Sequence, residues 1–387
     1  MLKEHPSQKT YDILIIGAGF SGCCLAIKTV EKGLTTLVVD KTAEYPDYFR
    51  AEKLEPDQYE LLESLNLLQY MEPKDSPIID KVVLYQGNSK KIIARKKHRG
   101  LNYRDSVNSL RAQLHRHGCL YKHLVSEVEQ EADSFHVKTK EGESFRCRLL
   151  VVATGYSGQL AKSLGMNMVQ EDEMISTSIG FYVACKDKSG QIPAVNFRPA
   201  KWGGGLDYAT FFSIGDLARV NVFTCWSPRD ERVKTFKEQP VNSLPQYFEG
   251  MSAILGEFDL DSKVQVFTTQ YYRNGADGRD NLFFLGDSSQ SVSPASGLGL
   301  SKCLTDVDVL LGLIEKWDRH SKIPSNEFFN HHRKLAVDQH AYDAWKWSNE
   351  RSSNTGLGIK MKMAREHLKG SRLWKRASRL KRKFLGY

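Results

Sequence analysis

Ile15-Ile16-Gly17-Ala18-Gly19-Phe20-Ser21-Gly22 decides the fold: it is a GxGxxG turn set between an apolar run and a helix-forming stretch. Residues 11–16 read as a strand, residues 22–32 as a helix stopped by Gly33, and residues 36–39 as a second strand. The turn therefore opens a βαβ unit. Gly17 permits the tight turn, Gly19 lets the backbone approach a pyrophosphate, and Gly22 lets helix and strand lie close together. An anion would sit at the helix start, beside Phe20 and Ser21, where unpaired N–H groups and the helix dipole favour negative charge. Asp40 closes the second strand eighteen residues after Gly22, with Lys41 next to it. A carboxylate there accepts hydrogen bonds from an adenosine ribose. Together these features predict dinucleotide binding, without separating FAD from NAD.

Three stretches further out make that separation. Arg50-Ala51-Glu52-Lys53-Leu54-Glu55-Pro56 leads into a helical pattern over residues 56–68. Leu150-Val151-Val152-Ala153-Thr154-Gly155-Tyr156-Ser157-Gly158 ends an apolar strand in a glycine turn. Phe284-Leu285-Gly286-Asp287 precedes Pro294-Ala295-Ser296-Gly297-Leu298-Gly299-Leu300-Ser301, a GD pair followed by PxxGxG at the head of a helix over residues 300–317. In these motifs the chain resembles the FAD-dependent aromatic hydroxylases, the para-hydroxybenzoate hydroxylase superfamily of monooxygenases, over roughly residues 11–317.

The resemblance implies FAD as the cofactor and assigns roles around it. Arg50 would reach the flavin, with the backbone near Lys53 facing the ring edge. Arg104, in Tyr103-Arg104-Asp105-Ser106-Val107, would be a second cofactor arginine at the start of a long helix. Val125 would begin the strand that borders adenine. Asp287 would hydrogen-bond the ribityl chain, while Pro294, Gly297 and Gly299 carry the backbone close beneath the flavin. The N–H groups of Leu300 and Ser301 would then face the pyrimidine edge, where a helix start stabilises the negative charge of reduced flavin. Thr154 and Gly155 fall where the hydroxylases carry ADGxxSxxR; Thr154 replaces Asp, Gly158 replaces Ser and Ala161 replaces Arg. That erosion weakens the motif's tie to NADPH or NADH as electron donor.

The fold class expected is α/β: a discontinuous, Rossmann-like FAD-binding domain (1–75, 101–174 and 271–320) interleaved with a β-rich substrate domain (76–100 and 175–270). A helical C-terminal region, 321–387, carries a basic tail at 360–387. Within this plan residues 81–94 form a hairpin turning at Gly87-Asn88 and residues 103–117 a helix. Residues 126–153 form antiparallel strands broken at Glu141-Gly142, and short strands dominate 175–270. With 387 residues the chain exceeds one small core.

The resemblance implies monooxygenation, in which a flavin C4a-hydroperoxide hydroxylates or epoxidises a hydrophobic aromatic or polyene intermediate, and needs no catalytic side-chain dyad. A reductase of the geranylgeranyl type shares the GD and PxxGxG pattern and stands as the alternative. A flavin-dependent halogenase fits less well, because Trp345-Lys346-Trp347 is followed by Ser348-Asn349-Glu350 and not by the WxWxIP ending. A non-enzymatic flavin scaffold is the third class. The substrate lining is expected from residues 181–185, 202–212 and 271–272, although such aromatic runs serve equally as sheet core.

The net charge of +9 is concentrated: residues 360–387 hold eleven Lys or Arg against Glu366 alone, which leaves the rest near neutral. This tail could meet anionic lipid or an acidic partner, such as a carrier protein delivering a tethered substrate; no nucleic-acid recognition fold accompanies it. Seven scattered cysteines without a CxxC, and a polar start without an apolar signal core, predict a cytoplasmic protein, at most peripheral to a membrane. His115, His117 and His123, and His331, His332 and His340, read as solvated helix histidines, so no metal is expected.

Overall fold

The computed structural model describes residues 9–50, 52–71, 78–87, 89–156, 159–165, 168–185, 194–274 and 279–353. Ser157, Gly158 and the basic tail at 360–387 lie outside the described residues.

The strand Thr10–Ile16 is apolar on both faces and buried from its second residue onward, as a strand covered on both sides must be. It runs parallel to Thr36–Asp40 on one flank and to Ser144–Val152 on the other. Leu120–Lys122 extends the sheet beyond Thr36–Asp40, and Leu282–Phe284 adds in parallel to the end of Ser144–Val152. The antiparallel strands Phe135–Thr139 and Val125–Gln130 complete seven strands. Helices Phe20–Glu31, Tyr103–Arg116 and Gly299–Ile314 cover one face, where Ile13, Ile15, Leu25, Val107, Leu110 and Leu304 share a core. The opposite face buries Leu14, Ile16, Val39, Phe135, Phe145 and Val152.

The second sheet has nine strands. Its long strand Met168–Cys185 pairs antiparallel with Leu217–Thr224 on one side and with Gln265–Asn274 and Phe258–Leu260 on the other. Leu206–Ile214, Val195–Arg198, Ile78–Gln86, Ser89–Gly100 and the short Lys53–Leu54 follow outward. Alternation along a strand decides what each face does. Ala218, Val220 and Val222, with Ala209 and Phe211, enter an apolar core. Their neighbours Asn221 and Phe223, with Tyr208, Thr210 and Phe212, line a cavity between the two sheets.

The sequence reading of 175–270 as strands omits three helices that cap this core: Glu231–Glu238, Pro240–Tyr247 and Met251–Leu255. Two of their starts carry ordinary signals, since the Asp230 side chain accepts from Arg232 N–H and Pro240 occupies the first turn. The expected break at 174/175 falls at a register shift between Glu171 and Ile175, inside one continuous strand. The helix His332–Ser353 folds back onto the second sheet. Its Trp345 is fully buried edge-on to Tyr271, and Arg351 Nε donates to Asp207 Oδ1 at 2.7 Å. Among the described residues no helix is long and apolar enough to cross a membrane.

Candidate active site

Backbone closeness builds the first half of the site. Gly17 sits at φ +106°, and a Cβ there would lie 2.5 Å from Ala153 O. A Cβ on Gly22 would lie 2.0 Å from Gly17 O, so neither position has room for a side chain. Gly19 is the N-cap of Phe20–Glu31, and no side chain caps that helix start. Its first N–H groups therefore remain for another acceptor, which is what an anionic pyrophosphate requires.

Arg111 and Asp40 hold this turn. Asp40 Oδ2 accepts from Ala18 N–H at 2.7 Å and lies 3.2 Å from Arg111 Nη2; its Oδ1 accepts from Thr42 N–H and Thr42 Oγ1. Arg111, itself buried, also donates to Ala18 O and Thr42 O. These donors within the chain orient the carboxylate that the sequence assigns to a ribose. Lys41 is exposed beside it. His123 N–H donates to Asp40 O at 2.9 Å, which brings Val125 close to the same strand end.

The other motifs converge on that turn. Gly286, at φ +58°, rests on the first helix: a Cβ there would meet Ser21 Oγ at 2.8 Å and Cys303 Sγ at 2.9 Å. Asp306 Oδ2 accepts the Gly286 N–H, and Lys302, wholly buried, bridges Asp306 and Asp338 at 2.9 and 2.8 Å. Thr154 Oγ1 lies 3.4 Å from Ser288 Oγ, and Ser288 Oγ donates to Gly155 O. Gln58, absent from the motifs, donates to Gly297 O and Ser301 Oγ, while Ser301 donates to Asp57. The sequence carried a hint of Gln58, since it closes a capping box with Glu55 at the start of Pro56–Ser64.

These elements border one shared cavity, partly open to solvent. Of the predicted cofactor residues, Arg50, Lys53, Asp287, Pro294, Gly297, Gly299 and Leu300 line it. Arg50 donates to Phe49 O and Tyr45 Oη, and its guanidinium lies over the Tyr103 and Phe267 rings. Lys53 pairs with Glu55 at 2.8 Å. Burial pushes the Asp287 carboxyl upward against the opposing pull of Arg50. Burial likewise raises the Cys303 thiol to about 12, so it borders the cavity as a neutral group without nucleophilic character.

Three expectations are corrected here. Arg104 is half exposed and pairs with Asp105 at 3.3 Å, whereas its neighbour Tyr103 in the same helical turn lines the cavity. Arg111, further along the same helix, is the arginine that faces inward. Phe181 and Val183 belong to the core on the far face of the second sheet. Tyr271 packs with Trp345, and Tyr272 donates to Asp287 O, so neither lines the cavity, whereas Tyr208, Thr210 and Phe212 do.

The arrangement suits a flavin dinucleotide: one uncapped helix start stands at a turn with no room for side chains at Gly17 and Gly22, and a second, that of Gly299–Ile314, opens at the cavity wall. Among the described residues no group of three or more His, Cys, Asp or Glu could hold a metal ion.

Comparison with known proteins agrees with this geometry. Residues 10–315 match the family described as FAD binding domain. Over 79 residues the chain is 35% identical to a squalene monooxygenase of Candida glabrata, a match covering 20% of this chain and only 16% of that protein's length. The p-nitrophenol 4-monooxygenase PnpA of Pseudomonas putida superposes with a TM-score of 0.64 at 16% identity, covering 89% of this chain and 87% of that one. A halogenase PltM variant in complex with FAD gives 0.72 at 13% identity, covering 90% and 78%. At these identities the solved structures establish a shared fold.

Proposed function

Because the chain belongs to the family described as FAD binding domain, we propose that it is an FAD-dependent monooxygenase that inserts one atom of molecular oxygen into a hydrophobic aromatic or polyene molecule. The observation that carries the reading is the cavity itself. It lies between the two sheets, is walled by Phe49, Tyr208, Phe212, Phe223 and Phe267, and ends at the uncapped start of Gly299–Ile314. A relative whose name specifies squalene, a polyene, supports the same substrate class.

The glycine turn at Gly17–Gly22 would hold the pyrophosphate, and Asp287 with the start of Gly299–Ile314 would hold the flavin half. FAD, when bound, supplies the two-electron and oxygen chemistry. The chain's own residues position and shield. The aromatic walls exclude water and receive an apolar substrate, and the dipole of the helix Gly299–Ile314 favours negative charge at the cavity end. One oxygen atom enters the substrate and the other leaves as water, so two electrons must come from an outside donor; NADPH and NADH are the candidates.

The test is to reduce the purified yellow protein anaerobically and admit isotopically heavy oxygen with aromatic and polyene substrates. Heavy oxygen in the product supports the proposal. Loss of a substrate double bond without oxygen would replace it with a reductase, and a product halogenated only when halide is present would replace it with a halogenase. Anaerobic mixing with NADPH and then NADH, followed by flavin absorbance, identifies the donor.

A further inference from the structure

The sheet wall of the cavity carries a row of polar groups through an otherwise aromatic surface. Strand register sets it: Tyr208 stands opposite Phe223, Thr210 opposite Asn221, and Phe212 opposite Arg219. Alternation turns all six toward the same side of the sheet. On the next strand Tyr182 is opposite Arg219 and Gly180 is opposite Asn221.

The hydrogen bonds along this row share one direction. Glu52, held at φ +54°, anchors it: Arg219 Nη1 lies 3.3 Å from Glu52 Oε2, and Tyr182 Oη donates to the same oxygen. Arg219 Nε donates to Asn221 Oδ1 at 2.9 Å. That bond fixes the amide orientation, because a guanidinium only donates. Asn221 Nδ2 then donates to Thr210 Oγ1 at 3.1 Å. A hydroxyl that accepts keeps its own hydrogen to give. Thr210 is only 4% exposed and lines the cavity, and no acceptor among the described residues takes that hydrogen. A donor chain headed by a cation polarises its last member, so the Thr210 hydroxyl is a strengthened donor.

The charges around the cavity narrow the acceptor. Two cations, Arg50 and Lys53, line it against three carboxyl groups, Glu52, Glu55 and Asp287. Lys53 is paired with Glu55, and Arg219 is matched by Glu52, so no surplus positive charge awaits an anion. The room for the Arg219 guanidinium is itself built in, since a Cβ on Gly180 would lie 2.4 Å from Arg219 Nη2.

We propose that the Thr210 hydroxyl, polarised through Asn221 and Arg219, is the donor that orients the substrate, and that the substrate carries a neutral acceptor oxygen (ketone, ester or ether) on an apolar frame. This rests on reading the cavity as the substrate site, but not on the reaction performed there.

The experiment titrates the flavin-loaded protein with acetophenone and with α-methylstyrene, which has a methylene in place of the carbonyl oxygen, and follows flavin absorbance. The wild type should bind acetophenone roughly tenfold more tightly, the worth of one good hydrogen bond. Thr210→Val, similar in shape, should abolish the preference and Thr210→Ser should keep it, with both proteins retaining flavin. Gly180→Ala, whose methyl would crowd both the guanidinium (2.4 Å) and the Phe49 ring (2.6 Å), should reduce it, and its affinity for α-methylstyrene reads any effect of Phe49 on the cavity itself. Equal affinities in the wild type, binding of neither compound, or a preference that survives Thr210→Val overturns the proposal; a preference unchanged by Gly180→Ala overturns the role of Asn221 and Arg219. Should the ligand preference hold while heavy oxygen never enters a product, the monooxygenase reading fails and this one stands.

Discussion

The molecule contains two helix starts rich in glycine, and they are built on opposite terms. At the first, Gly17 and Gly22 have no space for a Cβ, because Ala153 O and Gly17 O stand 2.5 and 2.0 Å from where it would be. At the second, a Cβ on Gly299 would meet nothing within 4 Å, and on Gly297 only Glu55 Oε1 at 3.8 Å. Gly17 and Gly22 are demanded by the protein, which must bring backbone segments together before any ligand arrives, whereas a Cβ on Gly19 between them would lie 4.0 Å from Ala153 O. Gly299 lines the cavity, so the protein itself leaves that position open.

That contrast predicts its largest effect at Gly22. Gly22→Ala sets a side chain against main chain that cannot give way, and we expect a loss of more than about 3 kcal/mol, with little folded protein recovered. Equilibrium unfolding in urea checks it; a midpoint within error of the wild type would mean that the first turn is as roomy as the second. Next in size is Lys302→Met, which keeps the stem but leaves Asp306 and Asp338 facing each other in a buried place. Removing one partner from such a cluster costs about 3–5 kcal/mol. Since Asp306 also accepts the Gly286 N–H, flavin should be lost at lower denaturant than global unfolding requires. Coincident loss of flavin and of far-ultraviolet circular dichroism would show that the cluster serves stability alone.

The sequence disclosed both starts but not what supports them. Both glycine patterns were legible because backbone conformation and close approach restrict residue type locally, within eight or so positions. The long-range supports were not. Arg111 carries no motif around it, and its partners Ala18, Asp40 and Thr42 lie about seventy or more positions away in the chain, so the sequence pointed to Arg104 in a recognisable frame. Glu52, Arg219 and Tyr182 meet because Tyr182 stands opposite Arg219 on a paired strand and Glu52, just before the strand Lys53–Leu54, is brought against both. The helices between residues 231 and 255 went unread for a different reason: they are five to eight residues long, too short for a helical period to stand out among neighbouring strands. The aromatic lining followed the same logic, since alternation sends Phe211 to the core and Phe212 to the cavity and only the structure says which face is which.

Arg111→Met sharpens the comparison at the first start without touching a glycine. The turn would lose the guanidinium that ties Ala18 O, Thr42 O and Asp40 together, so FAD affinity should fall by about tenfold or more while the cavity lining stays as it is. Flavin retention after dialysis checks this, with Arg104→Met as the control expected to behave like the wild type, because that side chain meets solvent and Asp105. If the control loses flavin and Arg111→Met does not, the inward and outward roles are reversed.

The smallest effect is expected at Gly299, and it has two signs. In Gly299→Ala the new methyl enters open space at the first residue of a helix, where alanine restricts the unfolded chain more than glycine does; the apoprotein should gain about 0.4–1 kcal/mol. The same methyl projects where the flavin would approach the backbone, so affinity for FAD should fall even as the fold is strengthened. Apoprotein melting and flavin titration, measured on one preparation, read the two signs separately. A variant that is more stable and still fully yellow would mean that the second glycine start does not meet the cofactor closely. The contrast with the first start would then be one of crowding alone.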